Sequence, residues 1–521
     1  MSRTSHRTDS SGDETPPGTV TLYPGPEGIV PSPLYTVTVN GRPAFVYPVT
    51  VGDIVDPATG RIDDDPPETT NPRPAAFCYF DFSGGPVEIE VAVKPIETRP
   101  TVESVVIRPS RHKIFPAVQD GTFRFSLDGP AKLSIEPNGN VWAPLFVFAD
   151  RPVPSPPAEG DPTITRYFGP GVHVAGMIEP KSNEKIYFAG GAVVYGQLNL
   201  QKVKNVRIFG RGILDASKAP RKGDKQSRND YGQHAPVARV LFCNQVRVEG
   251  IHLIDSPSWT VQAAHSDDVE IDDVRLVNWR ENSDGIDIVS CERVRVTDCF
   301  LRTWDDALLV KGLTDQFYPR MENGGWSPAG VRKPCRDVVF ERCVVWTDRA
   351  QVLHLGLETR TTEICDIIWR DLDVIHAFSL GLCSIRNGDA AAVHDLLFEN
   401  IRVEDARCRY LLEIATEETY VTADDHRGPI DRIVFRDINV TGDKLPPSEL
   451  RAESADARIA DVSFENIRFN GKLITEAAGL ALKLGRHVEH VRFAPEFEKS
   501  GRVLHVPGNG AMPFARKQPQ S

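Results

Sequence analysis

The 521-residue sequence predicts an all-β protein, an N-terminal β-sandwich followed by a right-handed parallel β-helix. Three observations carry that reading. Apolar and polar residues alternate with a period of two over the first third of the chain. Short units of a single pattern recur over the remainder. Helical periodicity is almost absent throughout.

The elements follow in order. Residues 1–18, MSRTSHRTDSSGDETPPG, are polar, lack the apolar core of a secretory signal, and read as a disordered leader. From Thr19 the stretches VTLYP, LYTVTVN, PVEIEVAVK, VVIRP, FRFSLD and KLSIEP alternate in strand fashion between Pro, Gly and Asp, the signature of an antiparallel β-sandwich, placed at 19–180. The proline-rich RPVPSPPAEGDP (151–162) is a boundary linker or a long loop near the boundary, and TRYFGPGVHVAGMIEP continues as strands leading into the second region. From about Lys185 the units NVRIFG (205), QVRVEG (245), DVEIDD (268), RVRVTD (293), DVVFER (337), DIIWRD (366), DLLFEN (395), RIVFRD (432) and DVSFEN (461) recur, mostly at intervals of 23 to 29 residues. One strand of each unit stacks about 4.8 Å from the next, giving long parallel sheets around a continuous apolar interior. A propeller needs blades of about 40–50 residues of antiparallel strands, usually longer than this spacing. The β-helix is therefore assigned to 181–500 and a C-terminal tail to 501–521.

Bulk chemistry narrows the function. A formal charge of -12 gives no global attraction for nucleic acid or anionic membranes and mildly favours a neutral substrate. No apolar run approaches the roughly 20 residues of a membrane span. Nine cysteines without a CxxC pair suggest neither a zinc site nor a disulfide framework; Cys299, Cys343, Cys365 and Cys383 lie in apolar strand contexts as small core fillers. No metal or cofactor is implied. The cysteine usage fits a cytoplasmic location if the N-terminus is native, and a secreted protein whose signal had been removed would look the same.

The unusual chemistry lies in NSDGID (282–287) and WDDALLVKG (304–312). Asp284 and Asp305 are 21 positions apart, close to one coil, so they stack on neighbouring rungs, with Asp306 beside Asp305. Three carboxylates so concentrated repel one another, and at least one acquires a raised pKa. Glycoside hydrolysis needs that pairing of a protonated carboxyl with an ionised one. Because adjacent strand residues point to opposite faces, a turn or bulge is expected at WDD. An isolated Asp-Asp pair is more often solvated turn chemistry; the combination with NSDGID one coil earlier is what raises it above that.

The pattern N-[ST]-D-G-x-D followed by Asp-Asp resembles glycoside hydrolase family 28, the polygalacturonases, and glycoside hydrolase family 49, the dextranases and isopullulanases. GAVVYGQL, GRGILDAS and DSPSWT are similar to the same clan, and the likeness covers roughly 165–410. The sandwich before the helix makes the architecture closer to the dextranase-like family. The resemblance implies that Asp305 is the general acid, that Asp284 and Asp306 activate water, that configuration inverts, and that Asp287 holds substrate or water. For inversion the acid and base are expected about 6.5–9.5 Å apart, against about 5 Å for retention. Two departures stand out. Ala350, Gln351 and Val352 occupy the register of the Gly-His-Gly motif of polygalacturonases, the local histidine being His354. SIRNGD supplies Arg386 without the Arg-x-Lys that binds a uronate carboxylate. A neutral glycan is therefore expected, with a uronate glycan as the alternative.

Further substrate-binding candidates are Asn282, Trp304, Lys311, His354, Glu358 and Arg386. Each has a structural alternative: a satisfied histidine, a loop glutamate, a surface ion pair, or a core tryptophan. The insertion 314–334, with Tyr318 and Trp326, is expected to wall the cleft. Rival functions are a polysaccharide lyase and a non-catalytic glycan-binding β-helix.

Overall fold

The computed structural model describes residues 18–53, 71–97, 99–220, 235–316 and 329–494. The expected leader and tail, and Tyr318 and Trp326, lie outside the described residues.

The N-terminal region is a two-sheet sandwich. One sheet has four strands, ordered Arg42–Ala44, Tyr35–Val39, Val87–Val93 and Thr122–Leu127. The other has six and is centred on the long strand Asn71–Ser83. Pairing is antiparallel except at the centre, where Leu145–Asp150 runs parallel to Asn71–Ser83, a departure from the all-antiparallel expectation. Strand 71–83 is apolar on both sides for a reason. Ala76, Cys78, Phe80 and Phe82 face the sandwich core, while Ala75, Phe77 and Tyr79 face the second region. Strands covered on both faces read as continuous apolar runs rather than alternations.

The second region is a parallel β-helix whose 29 strands run from Arg166–Phe168 to Val488–Ala494. Each coil contributes to three parallel ladders. Strands Arg166–Phe168 and Gly171–Ile178 fall inside the span 19–180 assigned to the sandwich, yet pair in parallel with Lys185–Phe188 and Ala192–Gln201 as the first coil. The proline-rich 151–162 thus joins the last sandwich strand to that coil.

The repeat has a physical cause. The leading residue of every unit sits in the left-handed region: Asn205 (φ 56), Gln245 (58), Asp268 (55), Arg293 (57), Asp337 (55), Asp366 (55), Asp395 (56), Arg432 (55) and Asp461 (54). Each marks a corner of the coil, where Asn and Asp are tolerated best among residues with a Cβ. Beyond the corner the apolar positions point inward. Phe340, Trp369, Phe398, Phe435, Phe464 and Phe493 form a stack with successive ring centroids 5.5, 4.6, 4.7, 5.3 and 4.9 Å apart, close to the spacing of the coils. Cys299, Cys343 and Cys383 pack in the apolar core of the helix as small fillers, whereas Cys365, though buried, lies outside that core with its Sγ against the Asp366 carboxylate.

One ladder of the helix packs on the sandwich through Phe300, Trp346, Val277 and Ile254 against Phe77, Tyr79, Phe146 and Phe148. Buried ion pairs cross the same interface. Arg275 contacts Asp150 (2.5 Å) and Asp273 (2.6 Å), and Arg211 contacts Asp81 (2.9 Å) and Asp273 (3.1 Å). That face is closed. A different ladder, which includes Ile286–Val289, Leu308–Gly312 and Gln351–Thr359, carries the acids.

Candidate active site

Asp284 stands just before strand Ile286–Val289, and Asp305 and Asp306 just before Leu308–Gly312, the next strand of that ladder. The coils touch here: the Gly285 amide donates to the Asp306 carbonyl (2.7 Å) and the Ile286 amide to that of Ala307 (2.9 Å). Glycine is required at 285, because a Cβ there would lie 2.3 Å from the Ala307 carbonyl oxygen.

The chain bends at 304–307, as expected for WDD. The hydroxyls of Thr303 and Thr347 both donate to the Asp305 carbonyl at 2.7 Å and hold the bend. Its consequence is that both adjacent carboxylates reach one cleft. The Asp306 amide donates to Asp305 Oδ1 (3.0 Å), and the Gln351 amide donates to Asp306 Oδ1 (2.8 Å). One oxygen from each of Asp284, Asp305 and Asp306 lies within 4.8 Å of the others. That is closer than the 6.5–9.5 Å expected from the sequence. Two oxygens 4.8 Å apart can still share one water at ordinary hydrogen-bond length, or one cation.

The electrostatics follow from burial and crowding. Asp284 is buried and Asp305 and Asp306 half-buried around the ammonium of Lys311, which lies 3.7 Å from Asp284, 3.5 Å from Asp287 and 3.7 Å from Glu358. Burial, with Asp306 beside it, pushes the Asp305 carboxyl up to about 7 against the pull of Lys311. Burial pushes Asp306 up to about 6, with Lys311 and the Gln351 amide opposing. Asp284 and Asp287 are pushed up as well, by burial first; Asp287 and Asp305 add to the shift at Asp284, and Asp306 and Glu358 to that at Asp287. Four aspartates crowded around one lysine do not all ionise readily, so Asp284, Asp287, Asp305 and Asp306 share protons and titrate together.

His354 is part of this cluster. Its Nδ1 donates to the Ser384 carbonyl (3.2 Å), which leaves Nε2 bare and facing Asp306 Oδ2 at 4.0 Å. Burial, with Lys311 adding, pushes the imidazole down to about 3, so it is neutral. Asn282 is exposed in a left-handed turn (φ 58) at the cleft edge.

Other candidates take different places. Trp304 is 1% exposed and packs in the apolar cluster between the two regions, so it is no sugar platform; the interface that covers it is invisible in a local reading. Asp287 is 0% exposed and meets Lys311, so it cannot touch a substrate and supports the lysine instead. Arg386 is engaged: its guanidinium donates to Glu417 (Nε at 2.8 Å), and Glu417 also pairs with Arg451 (2.8 Å).

Two aromatics near the acids escaped the sequence reading. Trp259 of DSPSWT lies half-buried beneath Lys311, whose Nζ is 4.0 Å from the ring centroid. Tyr420 is 89% exposed, with its hydroxyl close enough to feel the charges of Glu358, Lys311, Asp305 and Asp306. The loop beneath it is pinned. Val421 is buried, Arg360 donates to the Val421 carbonyl (2.6 Å), and the Ala423 and Asp424 amides donate to Asp389 (2.9 and 3.0 Å). An exposed aromatic in the long loop 417–429 was the available signal.

Residues 169–317, which include Asp284, Asp305 and Asp306, match the model of glycosyl hydrolases family 28. A probable polygalacturonase of Vitis vinifera is 23% identical over 207 residues, which is 39% of either chain. Dex49A from Penicillium minioluteum superposes with a TM-score of 0.57 at 16% identity, covering 91% of this chain and 90% of the other. A hyperthermoactive exopolygalacturonase from Thermotoga maritima superposes with a TM-score of 0.45 at 17% identity, covering 63% and 84%. The chain thus has the sandwich-and-helix fold over nearly its whole length, and the resemblance to glycosyl hydrolases family 28 stands on the matched segment.

Proposed function

We propose that this chain, a β-helix protein of the glycoside hydrolase family 28 and 49 clan, hydrolyses O-glycosidic bonds of a neutral poly- or oligosaccharide. The observation that carries the proposal is the half-buried Asp305, its carboxyl pushed up to about 7 and within 4.8 Å of two further carboxylates. At neutral pH a substantial fraction of Asp305 keeps its proton and can deliver it to the leaving oxygen. Asp306, lower at about 6, is the more readily ionised and, with Asp284, polarises the attacking water. Lys311 favours the ionised form of that pair.

The stereochemical outcome turns on geometry. Three carboxylates allow two to bracket a water while the third protonates the leaving group, which supports the inversion implied by the resemblance. The short oxygen spacing favours retention, with one aspartate as nucleophile. Proton NMR of the first-formed anomer separates them: an inverted anomer upholds the acid and water-activating assignment, and a retained one overturns it and makes Asp284 or Asp306 the nucleophile.

A neutral substrate is supported by Arg386. Its charge is matched by Glu417, so it is not a free receptor for a uronate. Hydrolysis of a panel of neutral and uronate glycans, read by product NMR, tests this; faster cleavage of polygalacturonate would overturn it. A lyase is disfavoured because the buried lysine at the site is ion-paired to three carboxylates rather than free to act as a base. Release of an unsaturated product, lost on chelation, would restore the lyase reading.

A further inference from the structure

Among the described residues, one other trio of potential metal ligands lies together, outside the cleft: Glu363, Cys365 and His394, each offering a ligand atom within 4.8 Å of the others. Parallel register builds it. Cys365 and His394 are direct partners on adjacent coils, and Glu363, two residues before Cys365, points to the same outward face. The donors are one oxygen, one sulfur and one nitrogen.

The histidine is oriented from behind. Asp395 Oδ2 lies 2.7 Å from His394 Nδ1, and Asp395 is itself held by Arg432 at 2.9 Å through both Nε and Nη2. With a proton on Nδ1 donated to that carboxylate, the Nε2 lone pair faces Glu363 Oε2 at 3.7 Å. A carboxylate behind a histidine fixes tautomer and ring direction at metal centres. Cys365 is 4% exposed, with Asp366 Oδ2 3.4 Å from its Sγ. Burial and the neighbouring acids keep this thiol protonated in the metal-free protein.

We propose that Glu363, Cys365 and His394 bind a borderline-soft divalent cation of the zinc class, with solvent as the fourth ligand, and thereby clip two coils of the helix together. Binding forms a metal–sulfur bond, breaks the Cys365 S–H bond and releases that proton to solvent. A mixed N, S and O set in a tetrahedral arrangement suits zinc and not magnesium or calcium.

Cobalt(II) is the spectroscopic probe, added to the full-length protein. A stoichiometric thiolate-to-cobalt charge-transfer band with tetrahedral ligand-field bands is expected, bleached by added zinc. Both bands should be lost in Cys365→Ser and in His394→Gln. The second variant changes a partly exposed side chain and guards against misfolding of the first. Asp395→Asn should weaken cobalt binding about 10–100-fold while keeping the bands. Absence of a charge-transfer band in the wild type, or its survival in His394→Gln, would overturn the assignment. Asp305→Asn should leave the cobalt spectrum unchanged, and loss of the bands in that variant would overturn the assignment.

Discussion

Two of the buried charge clusters among the described residues differ in balance. At the interface between sandwich and helix, Asp81, Asp150 and Asp273 face Arg211, Arg275 and Lys132, three acids for three cations. In the cleft, Asp284, Asp287, Asp305, Asp306 and Glu358 surround Lys311. The cations at the interface outweigh burial at Asp273 and hold its carboxyl well below the usual range, although at Asp81 burial outweighs Arg211 and raises it. Asp284, Asp287, Asp305 and Asp306 are instead held above that range. Both clusters are out of water, so burial alone does not distinguish a structural charge from a working one. The excess of acid over base does, because it stores protons that a reaction can use.

The comparison breaks if the wrong cluster fails in the wrong assay. The largest effect is expected for Asp305→Asn, which should lower turnover about 10²–10⁴-fold by removing the general acid. Reducing-sugar release checks the rate and circular dichroism the fold. Stability should move the other way. A carboxyl raised in the folded state destabilises it increasingly as pH rises from the unfolded value, near 4, to about 7. The variant should therefore gain in thermal midpoint relative to wild type over that window.

Arg275→Met should do the reverse. It strips the closest cation from Asp150 and Asp273, leaving Lys132 and Arg211 to hold them, and should cost up to about 3–5 kcal/mol in urea unfolding. Activity per folded molecule should stay unchanged. The Asp273 contribution is present above its unfolded pKa and is lost as pH falls, so acid lability should also diminish in the variant.

The pH profile sharpens the contrast. Activity should form a narrow bell, its acid limb near 6 from protonation of Asp306 and its alkaline limb near 7 from loss of the Asp305 proton. Lys311→Met removes the cation that opposes both shifts, so both limbs should move to higher pH.

The smallest effects separate the aromatics. Tyr420→Ala should raise KM with an energetic loss of about 0.5–1.5 kcal/mol and leave stability alone. Trp304→Phe should lower the thermal midpoint and leave KM alone. The opposite pattern would return Trp304 to the cleft.

Much of this was legible in local chemistry. The repeat reads because each coil needs a residue tolerant of positive φ at its corner, then inward apolar residues, and both requirements act within about six positions. The acids read because 21 residues is close to one coil. The bend at WDD follows from strand alternation alone. The boundary at 180 was less legible, since the first coil, 166–178, has no earlier coil to establish a period. The parallel pairing of 71–83 with 145–150 was hidden because it joins segments far apart in sequence. Trp304 and Tyr420 exchanged roles for a related reason: exposure depends on what another segment covers.

The sequence by itself determined the solenoid, its rungs and the placing of Asp284, Asp305 and Asp306 on neighbouring coils, because short-range sterics and a fixed period decide those. Only the tertiary structure decided which ladder the sandwich closes, that Asp287 lies beneath Lys311, and that Glu417 occupies Arg386. Those outcomes depend on contacts across tens to hundreds of residues, where proximity is a property of the packed coil and no local pattern records it.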